Sequence, residues 1–179
     1  MPGSPADPGV GTARPEPAPG PGDLVVRAAD YLWFADLALG EMARIVEGLG
    51  DERANEAPPL AGANSPYVIL THCLGVLEYW GGATVVGRSI QRDRDAEFRA
   101  AGEVAELLAR TEAARRRLHE DVGTLDALAQ PSHVGRNPDD PVPYSETQGA
   151  VLLHMLEELF QHLGQMEITR DMLQAKAQP

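Results

Sequence analysis

Apolar residues near the carboxyl end of the chain recur at helical spacing. From Ser145 to Leu173 an apolar side chain returns every three or four residues, which is the pattern of an amphipathic helix. Ser145 and Gln148 have the spacing of a capping box, in which each side chain satisfies a free backbone N–H of the first turn. We therefore predict one long helix here, and its apolar stripe contains Val151, Leu152, Met155, Leu159, Leu163, Met166 and Leu173.

Three further helices are predicted by the same periodicity, over residues 24–49, 66–86 and 102–122. Gly48 and Gly50 favour a stop for the first helix, and Ser65 followed by Pro66 is a typical start for the second. The connections over residues 87–101 and 123–144 are long. Four helices with such connections predict an all-α four-helix bundle of the kind with crossovers rather than simple hairpins.

The first 22 residues differ from the rest of the chain. They hold seven of the 15 prolines, together with Gly, Ala and Ser, and they show no apolar periodicity. Such a segment buries too little surface to offset the entropy lost on ordering. We predict a disordered tail over residues 1–22 and a single helical domain over residues 23–179.

Charge and cysteine content exclude several classes of function. The net charge of −12 and the isoelectric point near 4.7 argue against nucleic acid and anionic membranes as partners, since both are polyanions. The single cysteine, Cys73, excludes an intramolecular disulfide and a multi-cysteine zinc site. No transmembrane segment or signal peptide is evident, so a cytoplasmic location is the expectation.

Two polar residues, Glu158 and His162, interrupt the apolar stripe of the fourth predicted helix. They lie four residues apart and therefore share one helical face. A buried carboxylate and imidazole need a partner, because an unpaired buried charge is costly. A divalent metal satisfies both groups, and so does a Glu–His hydrogen bond inside the bundle. Spacing on a single helix leaves both interpretations open.

His72 falls at the edge of the inward side of the second predicted helix. A lone histidine on an apolar face is usually an ordinary core residue. Beside an inward-facing Glu158 and His162, however, His72 is the obvious third ligand. Cys73 points about 100° away and is interpreted as a small core residue.

Arginines and acidic residues alternate in the connection that follows the second helix. The segment contains Arg88, Arg92 and Arg94 among several carboxylates. Such mixed charge is typical of a solvated loop that pairs with itself. The alternative is a cationic rim that holds a carboxylate or another oxygen-rich ligand bidentately.

Three segments, THCLGVLEYW, RDRDAEF and HMLEELFQHLGQ, together resemble the DinB-like superfamily. The histidine–glutamate–histidine pattern is similar to its mycothiol-dependent branch, which includes maleylpyruvate isomerase and the mycothiol S-transferases. The resemblance covers nearly everything after the tail. It implies a metal-binding four-helix bundle in which His72, Glu158 and His162 hold a divalent cation.

The resemblance also implies a thiol-dependent transferase. Two imidazoles and one carboxylate leave a coordination position open, and zinc is the first choice, with nickel, iron or manganese as alternatives. In this hypothesis the metal activates mycothiol or a similar thiol for attack on a small electrophile. Arg88, Arg92 and Arg94 are then expected to hold the polar body of the thiol. Two further residues are candidates for catalysis: His154, as a pocket base or a partner of the ligands, and Gln165, as an orienting group.

Two other functions remain open at this stage. The same metal site is able to activate water, which describes a metal-dependent hydrolase. Alternatively the chain is a metal-stabilised bundle dimer without enzymatic activity. A homodimer through apolar residues on the first and fourth helices is expected, and Trp33 and Phe34 are interpreted as core or dimer-interface residues.

Overall fold

The computed structural model of the protein describes residues 26–132 and 147–175, which contain helices and no strand. The elements are α1 (Ala28–Ala54), α2 (Pro66–Val76), a π-helical segment (Leu77–Val86), α3 (Arg94–Glu97), α4 (Val104–Val122) and α5 (Gln148–Ala175). The prediction of an all-α bundle is confirmed. Within these two ranges, no helix has the length and apolar character needed to cross a bilayer. The predicted tail, residues 1–22, lies outside the described residues.

Four long helical elements pack around one apolar core. They are α1, α2 with the π-helical segment that continues it, α4 and α5. Helix α1 contacts α2, α4 and α5, and α2 also contacts both α4 and α5. Among the described residues α4 and α5 do not contact each other, and residues 133–146 of the predicted crossover between them lie outside the described part of the chain. The largest fully buried side chains come from all four: Leu39, Met42, Ile69, Leu70, Leu107, Met155, Leu159 and Met166.

Helix α5 buries the predicted stripe almost completely, and only Leu152 is half-buried rather than buried. Ser145, the first member of the predicted capping box, lies outside the described residues. Thr147 instead caps the described start of the helix, because its hydroxyl accepts a hydrogen bond from the backbone N–H of Ala150 at 3.1 Å. The amphipathic pattern therefore located the helix correctly.

Helix α1 is interrupted where the sequence predicted its end. Gly50 has a φ of +68°, a conformation that favours glycine, and the chain then turns helical again as far as Ala54. This extra turn fixes the start of α4. The carboxylate of Asp51 accepts a hydrogen bond from the backbone N–H of Val104 at 2.7 Å, so α1 caps α4.

The second predicted helix is present but changes its winding. Ser65 caps α2 through a 3.2 Å hydrogen bond from the backbone N–H of Val68, as the Ser-Pro start indicated. After Val76 the chain continues as the π-helical segment, which ends at Gly87 with a φ of +84°. Periodicity alone did not distinguish the wider turn from an α-helix.

Candidate metal centre

Three side chains from two distant parts of the sequence meet between α2 and α5. His72, Glu158 and His162 each offer one ligand atom, and these atoms all lie within 4.8 Å of one another. Oε2 of Glu158 lies 3.3 Å from Nε2 of His162 and 4.0 Å from Nε2 of His72. The two imidazole rings stand nearly perpendicular, at 84°. The predicted ligands are therefore brought together around one carboxylate.

The cluster is buried on one side and open on the other. The His72 side chain is 5% exposed, whereas His162 and Glu158 are 22% and 26% exposed. His72 therefore forms the floor of the site, and the α5 pair forms its accessible edge. The α5 pair is therefore the part of the cluster that solvent reaches.

Each imidazole uses its Nδ1 atom for a hydrogen bond away from the cluster. Nδ1 of His72 lies 2.9 Å from Oε2 of Glu97, and Nδ1 of His162 lies 2.9 Å from Oε1 of Gln165. A carboxylate or an amide oxygen only accepts, so each Nδ1 must carry a proton and donate it. In the neutral imidazole the Nε2 lone pair is then free, and in both residues it lies on the Glu158 side.

The charges in the cluster suit either a proton on His162 or a metal cation. When His162 also carries a proton on Nε2, it donates that proton to Glu158, and this hydrogen bond holds the pKa of the Glu158 carboxyl below its usual value and raises the pKa of His162. Burial lowers the pKa of His72, which favours its neutral form. An ionised carboxylate beside imidazole lone pairs fits a divalent metal, and without one the same groups form a Glu–His pair.

The two residues predicted to be catalytic both contact the ligands. Gln165 accepts the hydrogen bond from His162 and so orients that ring. Nε2 of His154 lies 3.6 Å from Oε1 of Glu158, and Nδ1 of His154 lies 3.1 Å from a carboxylate oxygen of Glu157. His154 is 8% exposed. It therefore sits beside the second oxygen of the proposed carboxylate ligand.

The three predicted thiol-binding arginines have different surroundings. Arg88 makes a bidentate ion pair with Asp121 on α4, with distances of 2.6 and 2.7 Å. Arg92 makes two hydrogen bonds to Glu97 within its own segment, at 2.6 and 2.9 Å. Arg94 is exposed, and within residues 26–132 and 147–175 it has no ion-pair partner.

Of the three arginines, Arg94 has the guanidinium group that is most available to bind a ligand. Its guanidinium lies over the Phe98 ring at 5.7 Å, and Phe98 in turn stacks on His72 with ring centroids 5.0 Å apart. Its positive charge acts on the imidazole of His162. The stack places Arg94 beside the cluster, whereas Arg88 and Arg92 are engaged by carboxylates.

Glu97 contacts the cluster but was not singled out by the sequence. In the sequence it is one carboxylate among several alternating charges, and that alternation is typical of a solvated loop. In the structure it is 9% exposed and contacts both His72 and Arg92. The RDRDAEF segment contains it, but only tertiary packing distinguishes Glu97 from its neighbours.

A cavity of about 490 Å³ lies between α2, α4 and the segment that contains α3. Glu97 and Arg92 line it, together with Gly75 of α2, but the three clustered ligands do not. The cavity therefore lies behind His72, on the Nδ1 side of the ring. It is not the space into which the Nε2 atoms point.

The fold and site define a helical bundle that brings two imidazoles and one carboxylate together, a donor set that is able to hold a divalent metal. A family model described as Mycothiol-S-transferase matches residues 33–175. The chain belongs to the mycothiol S-transferase family. No curated protein and no solved structure matches it.

Proposed function

We propose that this protein is a metal-dependent S-transferase that joins mycothiol, or a similar low-molecular-weight thiol, to a small electrophile. The observation that carries the proposal is the convergence of His72, Glu158 and His162, with each imidazole held through Nδ1 and its Nε2 turned inward. Membership of the mycothiol S-transferase family supports the choice of thiol.

The donor atoms fit a divalent metal. Two imidazole nitrogens and one carboxylate oxygen are ligands that zinc accepts, and three protein ligands leave a position for substrate. Zinc is our first choice, and nickel, iron or manganese also accept this donor set. A metal held by these residues supplies Lewis-acid chemistry that keeps a coordinated thiol deprotonated.

The thiol in this scheme belongs to the substrate. Cys73 is the chain's single cysteine, and it is completely buried. Burial raises the pKa of the Cys73 thiol far above its usual range, so the group stays protonated and unreactive. A nucleophilic sulfur therefore has to enter from solvent.

The side chains around the cluster have separate roles in the proposed reaction. Arg94 binds a polar oxygen of the thiol's hydrophilic body, and Gln165 keeps the His162 ring in place. His154, beside Glu158, receives the thiol proton at Nε2. The thiolate sulfur then forms a C–S bond with the electrophilic carbon, and the leaving group departs with the electron pair of the bond that breaks.

A direct test measures thioether formation by the zinc-loaded protein with mycothiol and monobromobimane. We expect thioether to form faster than in the absence of protein, and we expect the rate to depend on both the metal and the thiol. Arg94→Ala is expected to raise KM for the thiol more than it lowers kcat, because the arginine contributes binding. Arg44→Ala, which removes an exposed arginine of α1, is the matched control.

The two alternative functions, a hydrolase and a metal-stabilised scaffold, are tested on the same zinc-loaded protein. Hydrolysis of an ester or amide by the zinc-loaded protein without any thiol identifies a hydrolase. Thermal stabilisation by zinc, without turnover and without any effect of thiol, identifies a metal-stabilised scaffold. Either result contradicts the transferase proposal.

We also propose that the protein forms a homodimer through an apolar patch on α1 and α5. Trp33 and Leu153 are 60% and 61% exposed, and the Phe34 and Phe160 rings join the two helices with centroids 6.3 Å apart. Several exposed aromatic residues on adjacent helices are typical of a protein–protein interface. A specific interface buries about 800 Å² on each partner.

Replacement of Trp33 by serine together with Phe160 by serine is expected to convert a dimer into a monomer of 19.2 kDa. Both side chains are exposed in one chain, so the fold should survive their loss. Light scattering after size-exclusion chromatography measures the mass. Leu128→Ser is the control, since Leu128 is 75% exposed but lies outside α1 and α5. A monomeric wild type contradicts the dimer.

A further inference from the structure

The carboxylate of Glu97 is held between a loop arginine and a helix histidine. Arg92 donates through Nε to Oε1 at 2.6 Å and through Nη2 to Oε2 at 2.9 Å. Oε2 also lies 2.9 Å from Nδ1 of His72. Glu97 is 9% exposed, and Arg92 is 16% exposed. This buried three-residue chain therefore links the segment between the π-helix and α4 to the floor of the metal centre.

The geometry fixes which group donates to His72. Nη2 of Arg92 lies 3.4 Å from Nδ1, but a guanidinium only donates, so this contact requires an unprotonated Nδ1. The contact with Glu97 is shorter and requires a protonated Nδ1 whenever the carboxylate is ionised. Arg92 donates to both oxygens of Glu97, and this two-point contact with a guanidinium fits an ionised carboxylate. The ionised carboxylate accepts from Nδ1.

Helix α2 is shaped to receive this carboxylate. Gly75 lies one turn after His72 on the same face, and a Cβ atom at Gly75 would overlap with the carboxylate of Glu97. Any side chain at this position would occupy the space that Glu97 uses. The Glu97 carboxylate is therefore able to approach α2 closely because α2 has a glycine at position 75, and the loop places the carboxylate there.

We propose that Glu97 is a positioning residue, which keeps His72 in the Nδ1–H tautomer and aims its Nε2 lone pair at the cation. Arg92 holds the Glu97 carboxylate in place, so Arg92 acts on the metal centre through Glu97 rather than on the thiol. This inference rests on the metal site of the proposed function. Carboxylates behind histidine ligands fix ring orientation and raise ligand basicity, and their loss costs about 10–100-fold in metal affinity.

The first test measures zinc affinity by competition with a chromophoric chelator. Glu97→Ala is expected to weaken zinc binding by about 10–100-fold, and Glu97→Gln to fall between alanine and wild type, because its amide oxygen still accepts from Nδ1. Asp121→Asn is the matched control, since it breaks the other arginine–carboxylate pair of this segment, with Arg88. Zinc affinity is expected to be unchanged in that variant. Equal effects of Glu97→Ala and Asp121→Asn overturn the inference.

A second test needs no variant and no metal. The nitrogen–proton correlation spectrum of histidine-labelled wild type, recorded in the metal-free protein at a pH where His72 is neutral, reports its tautomer. The Nδ1–H tautomer is expected, and the Nε2–H tautomer overturns the inference even if Glu97→Ala fails to fold. A wild type that shows the Nδ1–H tautomer but binds no zinc refutes the proposed function and any effect of Glu97 on a cation, whereas a wild type that binds zinc but shows the Nε2–H tautomer refutes the role of Glu97 alone.

Discussion

Replacing His162 with alanine is expected to abolish stoichiometric metal binding and, with it, thiol transfer. The substitution removes one of three proposed ligands, so the loss of zinc affinity should exceed the roughly 10–100-fold cost of disturbing a residue behind a ligand. The side chain is 22% exposed and its ring packs against polar groups, so the bundle should remain folded. Elemental analysis of the purified proteins measures the metal content, and thioether formation measures the activity.

His119→Ala is the control for this experiment. His119 also lies on a helix and also contacts a carboxylate, that of Asp36, but it is exposed and belongs to α4. Its removal should leave metal content and activity unchanged. If His162→Ala retains one equivalent of metal, or loses no more activity than His119→Ala, the assignment of the metal centre is wrong.

Replacing Gly75 with alanine is expected to weaken metal binding by about tenfold or more, although the substitution introduces a better helix former. The methyl group would overlap with the Glu97 carboxylate, which then has to leave its hydrogen bond with His72. Helix propensity favours alanine over glycine by about 1 kcal/mol, but the displaced carboxylate and its arginine lose their buried hydrogen bonds. We therefore expect no gain in the free energy of unfolding and a clear loss of zinc affinity.

Gly48→Ala is the matched control in α1. No atom lies within 4 Å of the position that a Cβ would take there, so alanine fits without displacement. This variant is expected to gain roughly 0.5–1 kcal/mol in urea unfolding and to keep its zinc affinity. If Gly75→Ala is stabilised to the same extent and binds zinc like wild type, the position of the Glu97 carboxylate has no effect on zinc affinity.

The sequence predicted the four long helical elements because their apolar stripes are regular. In α5 the stripe from Val151 to Leu173 is buried except for the half-buried Leu152, and the polar pair Glu158 and His162 stands out against it. His72 is named as the third ligand because it lies at the edge of an inward face beside that pair, and the resemblance to a known family then implies the same three ligands. The structure confirms that the three side chains meet.

Other features depend on tertiary contacts, which the hydrophobic periodicity of the sequence does not reveal. The π-helical winding after Val76 has the same apolar spacing over a few residues as an α-helix. The extra turn of α1 after Gly50 is used by α4, whose start bonds to Asp51. Glu97 looks like a surface charge until α2 presents Gly75 and His72 to it.

The partners of Arg88, Arg92 and Arg94 were likewise not predictable from the sequence. Alternating charges between residues 88 and 99 fit both a self-paired loop and a cationic rim, and the structure contains elements of each. Arg92 pairs within the loop, Arg88 pairs with α4, and Arg94 lies over the Phe98 ring that stacks on His72. Only the packing of the segment on α2 and α4 decides which arginine faces the cluster.

X-ray absorption by the zinc-loaded protein, before and after addition of mycothiol, tests the central claim most directly. We predict one equivalent of zinc with only nitrogen and oxygen neighbours in the free protein. Addition of the thiol should introduce a sulfur neighbour at about 2.3 Å. A protein that retains no zinc, or one whose zinc keeps an unchanged nitrogen and oxygen shell at saturating thiol, would contradict the account.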